Sequence, residues 1–192
     1  MMLGLAKCPP SLEEMGGQRA GMATFTRRRA PDDAPRSPAG VVAATRYEGP
    51  NGPAYAGYGG DRLSTHLWGP HVPEATTLDY GPYGRLDGER HGLLTPVPLR
   101  VGELTGEVIQ PDWALFSLRR RGVQVTLASR SWLYRIAGLT RARRLERRDG
   151  TEVATDAGAF GTSRVARSAD VVEVAVLLVM LSGVPSSELT VK

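Results

Sequence analysis

Hydrophobic positions are scattered through the first half of the chain, alternate after Pro98, and become almost continuous in Asp170-Val-Val-Glu-Val-Ala-Val-Leu-Leu-Val-Met-Leu-Ser-Gly183. That last run predicts one short buried helix. Asp170 followed three residues later by Glu173 has the form of a capping box, Gly183 stands where a left-handed C-terminal cap falls, and Pro185 prevents continuation. Only Glu173 is charged between those ends, so the helix is apolar on every side and has to be enclosed. It is shorter than the roughly 20 apolar residues a bilayer crossing takes, which leaves protein as the enclosing medium.

Upstream of the helix the pattern is that of strands. Trp113-Ala-Leu-Phe-Ser-Leu118 is an apolar run of strand length, Arg120-Arg121-Gly122 supplies a turn, and Val123, Val125 and Leu127 share one face, so a hairpin is predicted. After Ser129-Arg130-Ser131, Trp132, Tyr134 and Ile136 lie on one face with Leu133 and Arg135 on the other. Asp149-Gly150 is a type I′ turn signal followed by the short strand Thr151–Ala154. Residues 140–148 contain strong helix formers, and Leu139, Ala142 and Leu145 have helical spacing, but the turn that follows favours a strand. Residues 161–167 read as a last short strand or linker leading into the helix.

The first half is punctuated differently. Residues 1–40 show no periodicity and contain Arg27-Arg28-Arg29, Pro31, Asp32-Asp33, Pro35 and Pro38, the composition of a disordered tail. Met22 opens a more natural beginning than Met1, which makes residues 1–21 candidates for an over-extended start; a peptide covering residues 12–19 in the native protein would refute this. Residues 41–96 form a loop-rich part of the domain, with Gly49-Pro50, Gly59-Gly60, Gly69-Pro70 and Gly81-Pro82 between short strands expected at 41–46, 62–68 and 76–80. Residues 97–192 carry the meander and the helix. The fold expected is therefore mainly β (α+β), an antiparallel sheet or barrel-like meander enclosing one apolar C-terminal helix.

Composition alters this picture in one respect. Lys and Arg exceed Asp and Glu by 24 to 20 over 192 residues, and the excess lies between Arg100 and Arg167, where thirteen arginines face seven acids. The folded part is the basic part. A GC-rich codon preference produces the same arginine bias, so the excess alone is weak evidence for phosphate recognition. Cys8 is the only cysteine, which excludes an intramolecular disulfide and a multi-cysteine metal site. Lys7, Pro9 and Pro10 interrupt any secretory h-region, so a cytoplasmic location is the default.

No residue set carries a catalytic, metal or cofactor signature. His66, His71 and Glu74 do not match a zinc spacing, because Gly69-Pro70 separates the two histidines. There is no Gly-x-Ser-x-Gly elbow, Gly57-Tyr-Gly-Gly-Asp61 lacks the dinucleotide spacing, and Asp79, Asp87 and Glu89 show nothing that marks acid–base work. The remaining constellation is Arg119, Arg120, Arg121, Arg141, Arg143, Arg144, Arg147 and Arg148. On a meander these form either an anion-binding face or edge charges that keep sheets from pairing. Trp113 and Trp132 are placed as core residues rather than as stacking platforms for bases.

The segments 115–128, Trp132–Ile136, the Arg147-Arg-Asp-Gly-Thr-Glu-Val153 turn and the helix 171–181 together resemble the architecture of Tubby C-terminal-like and scramblase-like domains, a closed β-barrel around a hydrophobic helix. The likeness spans roughly residues 97–189 and shares no diagnostic motif residue by residue. A smaller sheet packed on one helix is the alternative. The resemblance implies a lipid-headgroup site. The function expected is a non-enzymatic binding or scaffold module without cofactor, offering an Arg-rich face to anionic lipid or to another protein. The alternatives are a small hydrolase or transferase built around His66, Trp68, His71 and His91, and a nucleic-acid-associated protein.

Overall fold

The computed structural model describes residues 22–59, 64–78, 96–109, 122–137, 142–156 and 161–183. Among these, twelve strands close into one antiparallel barrel around a single helix. The strands are β1 (Ala23–Arg29), β2 (Thr45–Gly49), β3 (Gly52–Tyr58), β4 (Ser64–Gly69), β5 (Val72–Leu78) and β6 (Val97–Val101), then β7 (Leu104–Ile109), β8 (Gly122–Leu127), β9 (Arg130–Ala137), β10 (Ala142–Arg147), β11 (Glu152–Asp156) and β12 (Thr162–Val165). The helix, α1, is Val171–Gly183. Each strand pairs with its sequence neighbours, and β1 closes the circle by pairing with β12 from Ala23↔Val165 to Thr26↔Thr162.

The width of this barrel explains the helix. About eight strands give an interior that side chains alone can fill, and twelve leave room for a further element. Helix α1 occupies it, with Val174–Leu181 all buried. It lies closest to β4 and β5. The wall on that side presents mostly small groups inward, Ala54, Ala56, Thr65, Ala75 and Thr77, while Val123, Val125, Leu127, Trp132, Tyr134 and Leu145 fill the opposite side. Five of the thirteen helical residues are β-branched valines, which have poor helix propensity, so enclosure rather than local preference holds the helix.

The two-residue turns of the β2–β3, β4–β5, β6–β7 and β8–β9 hairpins, and the β10–β11 turn, all lie at the end of the barrel where α1 begins. The β10–β11 turn is formed by Asp149-Gly150 as anticipated, but not in type I′ geometry. Gly150 alone has positive φ (85°), its N–H donates to the Arg147 carbonyl at 2.9 Å, and Arg147 N–H donates to the Thr151 carbonyl at 2.9 Å. This is a type I turn followed by a left-handed glycine, which accommodates three loop residues where type I′ takes two. The capping box is present: Glu173 N–H donates to Asp170 Oδ1 at 2.9 Å, and Asp170 N–H to Glu173 Oε2 at 3.3 Å. Gly183 is helical rather than a left-handed cap. A Cβ there would lie 3.1 Å from Thr65 Oγ1 and 3.2 Å from Thr77 Cγ2, so this glycine lets the end of the helix approach the wall.

Two expectations are corrected in the first half. Of residues 1–40, expected as a disordered tail, those from 23 onward are ordered: Ala23–Arg29 is the strand that closes the barrel, and Phe25 is in the core. One inward apolar residue among threonines and arginines gave the sequence too little alternation to read. The tract 41–96 has four strands among its described residues where three were expected, and β3 went unread because its Gly and Ala positions look like turn punctuation. Residues 140–148 are strand, with β10 starting at Ala142. Trp113–Leu118, expected as a strand, lies outside the described residues; β8 pairs with β7 and β9.

Residues 30–44 form a strap on the outside of the barrel. Ala30 N–H donates to the Ala44 carbonyl and Ala44 N–H to the Ala56 carbonyl, which fixes its end to β3. Within it, turns at Pro31–Ala34 and Ser37–Gly40 fold the chain back, and Ser37 Oγ accepts from Val41 N–H at 2.9 Å. Beneath the strap, Tyr55 and Trp68 stack at 6.2 Å with Val41 in a small satellite core.

Candidate functional site

The charged side chains fall into three groups according to where the barrel places them. At the N-terminal end of α1, Glu173 is 1% exposed and serves as the hub of an ion-pair cluster. Its Oε1 accepts from Trp132 Nε1 at 3.0 Å and from Arg147 Nε at 2.9 Å, while Oε2 accepts from Arg147 Nη2 at 2.8 Å. Arg130 bridges Glu173 at 3.0 Å and Asp170 at 2.7 Å, and its guanidinium lies 4.8 Å from the centre of the Trp132 ring. Burial pushes the Glu173 carboxyl up, but the Arg147 and Trp132 hydrogen bonds and the charges of Arg147 and Arg130 outweigh it, leaving the group below its ordinary value. The hydrogen bond to Glu173 raises Arg147 in turn. The cluster fastens the helix into the barrel.

At the other end of α1 the inner wall is polar. Tyr47 Oη and Ser182 Oγ are 2.7 Å apart, Ser182 Oγ donates to the Leu178 carbonyl at 3.0 Å, and Arg143 Nη1 donates to the Leu181 carbonyl at 3.4 Å. A guanidinium here complements the negative end of the helix dipole, which the helix's own sequence lacks any cation to do. Asp156, 2% exposed, accepts from Ser163 Oγ at 3.0 Å, and among the described residues its Oδ2 has no hydrogen-bond partner. Burial raises both Tyr47, against its hydrogen bond with Ser182, and Tyr134, against the charge of Arg143, so the two phenols remain protonated at physiological pH.

The outer wall carries the third group, distributed unevenly around the barrel. Along β9–β12 and β1–β2, Arg135, Arg144, Arg164, Arg28 and Arg46 face outward with Glu146, Glu152 and Glu48. Along β5–β7 the outward charges are Glu74, Glu103 and Glu107 against Arg100. Three of the five arginines on the basic flank have carboxylate neighbours: Arg135 pairs with Glu146 at 2.8 Å, Arg144 lies 3.3 Å from Glu152, and Arg46 contacts Glu48. Arg28 and Arg164 are exposed.

This placement divides the arginines that the sequence grouped together. Arg143 and Arg147 point inward to opposite ends of α1, Arg144 faces outward, and Arg148 sits in the β10–β11 turn. Alternation along one strand separates neighbours onto opposite faces, so these four do not form one face. Arg119, Arg120, Arg121 and Arg141 lie outside the described residues. Arg28, Arg46, Arg135 and Arg164, which do face outward, come from strands far apart in the chain, and the Arg27–Arg29 triplet is the one local signal among them.

His66 and His71 are not brought together. His66 faces outward on β4, its Nε2 3.1 Å from Ser64 Oγ, whereas His71 lines a crevice of about 10 Å³ at the barrel end with Phe25, Pro53, Val72 and Val174. That volume holds about one water. His91 is outside the described residues, and among those described no three His, Cys, Asp or Glu side chains are grouped to hold a metal. No helix described is long and apolar enough to cross a membrane. Comparisons with models of known protein families, with curated proteins and with solved structures gave no match.

Proposed function

We propose that this chain is a non-enzymatic binding module, of the Tubby C-terminal-like or scramblase-like kind, that docks its basic flank onto anionic lipid headgroups. The observation that carries the reading is the charge asymmetry of the strands on the outer wall: among the described residues, Arg28, Arg46, Arg135, Arg144 and Arg164 outnumber Glu48, Glu146 and Glu152 on one flank, while Glu74, Glu103 and Glu107 outnumber Arg100 on the other. Such a barrel is a charge dipole and orients basic side down on a negative surface. Guanidinium groups suit phosphate because each offers a planar fork of donors. The closed barrel with its enclosed C-terminal helix supports the family reading at the level of architecture.

The test uses the full chain with vesicles of phosphatidylcholine, with and without phosphatidylserine, at low and raised salt. Binding to the anionic vesicles only, weakening as salt rises and lost in an Arg28→Glu, Arg144→Glu, Arg164→Glu variant that still melts cooperatively, is the expected result. Equal binding to neutral and anionic vesicles, or binding unaffected by the triple variant, overturns the proposal. A salt-sensitive preference for DNA over vesicles replaces lipid with nucleic acid as the partner.

A further inference from the structure

Four outward residues on consecutive strands are direct cross-strand neighbours: Arg28 opposes Arg46, Arg46 opposes Tyr55, and Tyr55 opposes Trp68. They form a single row across β1–β4, two guanidinium groups followed by two stacked aromatic rings. Arg46 links the halves, its guanidinium 6.0 Å from the centre of the Tyr55 ring. The arginine half belongs to the basic flank and is open to solvent at Arg28. The aromatic half is covered. Tyr55 is 8% and Trp68 5% exposed because the strap of residues 30–44 lies over them, and Trp68 Nε1 donates to the Pro35 carbonyl at 3.2 Å.

We infer that the strap is a displaceable cover, and that the row Arg28–Arg46–Tyr55–Trp68 is the contact surface for an anionic membrane once it lifts. The inference rests on the docking reading above and adds to it an aromatic anchor and a gate. Its chemistry fits one partner: arginine meets headgroup phosphate, and Tyr and Trp, apolar in body with one polar edge, suit the boundary between headgroups and acyl chains. The cover is light over its outer stretch. Pro31–Arg36 is exposed except for half-buried Ala34, the strap's buried residues are Ala30, Ser37 and Val41, and those it places against the rings are Val41, Ala34 and Ala43. A membrane that binds only the uncovered row draws the strap off by mass action, at a cost in apparent affinity set by how rarely the strap opens.

Gly57 supplies the test. A Cβ at this position would lie 2.1 Å from the Val42 carbonyl oxygen, so Gly57→Ala pushes on the strap without altering any residue of the row. Ser37→Ala is a second route, since it removes the acceptor of the Val41 N–H inside the strap. The expected result for either variant, in full-length protein that still melts cooperatively, is greater quenching of Trp68 by acrylamide and several-fold tighter binding to phosphatidylserine vesicles. Brominated lipid should quench the bound protein's Trp68, identified by subtracting the Trp68→Phe variant. Should the wild type bind anionic vesicles, both variants bind equally well, and bromine leave Trp68 unquenched, the strap inference is wrong while flank docking stands. Absence of anionic-vesicle binding in wild type and both variants sinks the docking reading and the inference with it.

Discussion

Glu173 is the residue on which the capping of α1 and its attachment to the barrel both depend. It closes the capping box with Asp170 and accepts from Trp132 and Arg147 on the barrel wall, with Arg130 alongside. Glu173→Gln keeps the size and loses the charge, leaving two guanidinium groups around a neutral amide. A destabilisation of about 2–3 kcal/mol at neutral pH is expected, below the usual loss for breaking a buried pair because both arginines are about a third exposed. The sign of the pH dependence follows from the depressed carboxyl. Its contribution is complete above the ordinary glutamate range and is lost as pH falls through the lower folded value. Urea unfolding of both proteins across pH should therefore show a gap at neutral pH that narrows below about pH 4. A gap independent of pH would assign the loss to packing instead.

At the scale of elements, α1 and the barrel stabilise each other and neither is complete alone. Leu177 and Leu178 are fully buried in the barrel lumen. Leu177→Asp places an unpaired charge there, and loss of the cooperative transition by circular dichroism is the expected outcome. Leu178→Ala should fold with a loss of about 2–5 kcal/mol in denaturant titration. A soluble Leu177→Asp protein melting like the wild type would contradict the enclosed position of the helix. The ends of α1 are anchored by tertiary partners: Arg147 and Arg130 at the start, Arg143, Tyr47 and the close approach of Gly183 at the finish.

For the whole molecule, closure depends on the least conspicuous strand. Without β1, both β2 and β12 become open edges, and unpaired edges invite association between chains. A fragment beginning at Val41 is expected to aggregate or to melt without cooperativity, while one beginning at Met22 retains the transition of the full chain. Circular dichroism melts with light scattering distinguish these outcomes, and a stable, monomeric Val41 fragment would show that closure by β1 is dispensable. The same strand brings Arg28 beside Arg46, so the basic flank exists only in the closed barrel.

Elements whose signals are local are legible in the chain alone. The helix, its capping box, the alternation of Trp132 with Tyr134, and the Asp149-Gly150 turn are each written in a few consecutive residues, since periodicity and capping depend on near neighbours. Tertiary structure decided what depends on partners far along the chain. β1 is a strand because β2 and β12 lie either side of it, and on β3 Ala54 and Ala56 suit a wall against which a helix must rest while Gly57 leaves room for the strap on the outer face. The arginines made the difference clearest: eight of them were either one face or edge charges in sequence, and among those described pleating turned Arg143 and Arg147 inward and left Arg144 outside with Arg28, Arg46 and Arg164 from distant strands. A surface is assembled across strands, and cross-strand register is fixed by closure of the barrel rather than by any short stretch of residues.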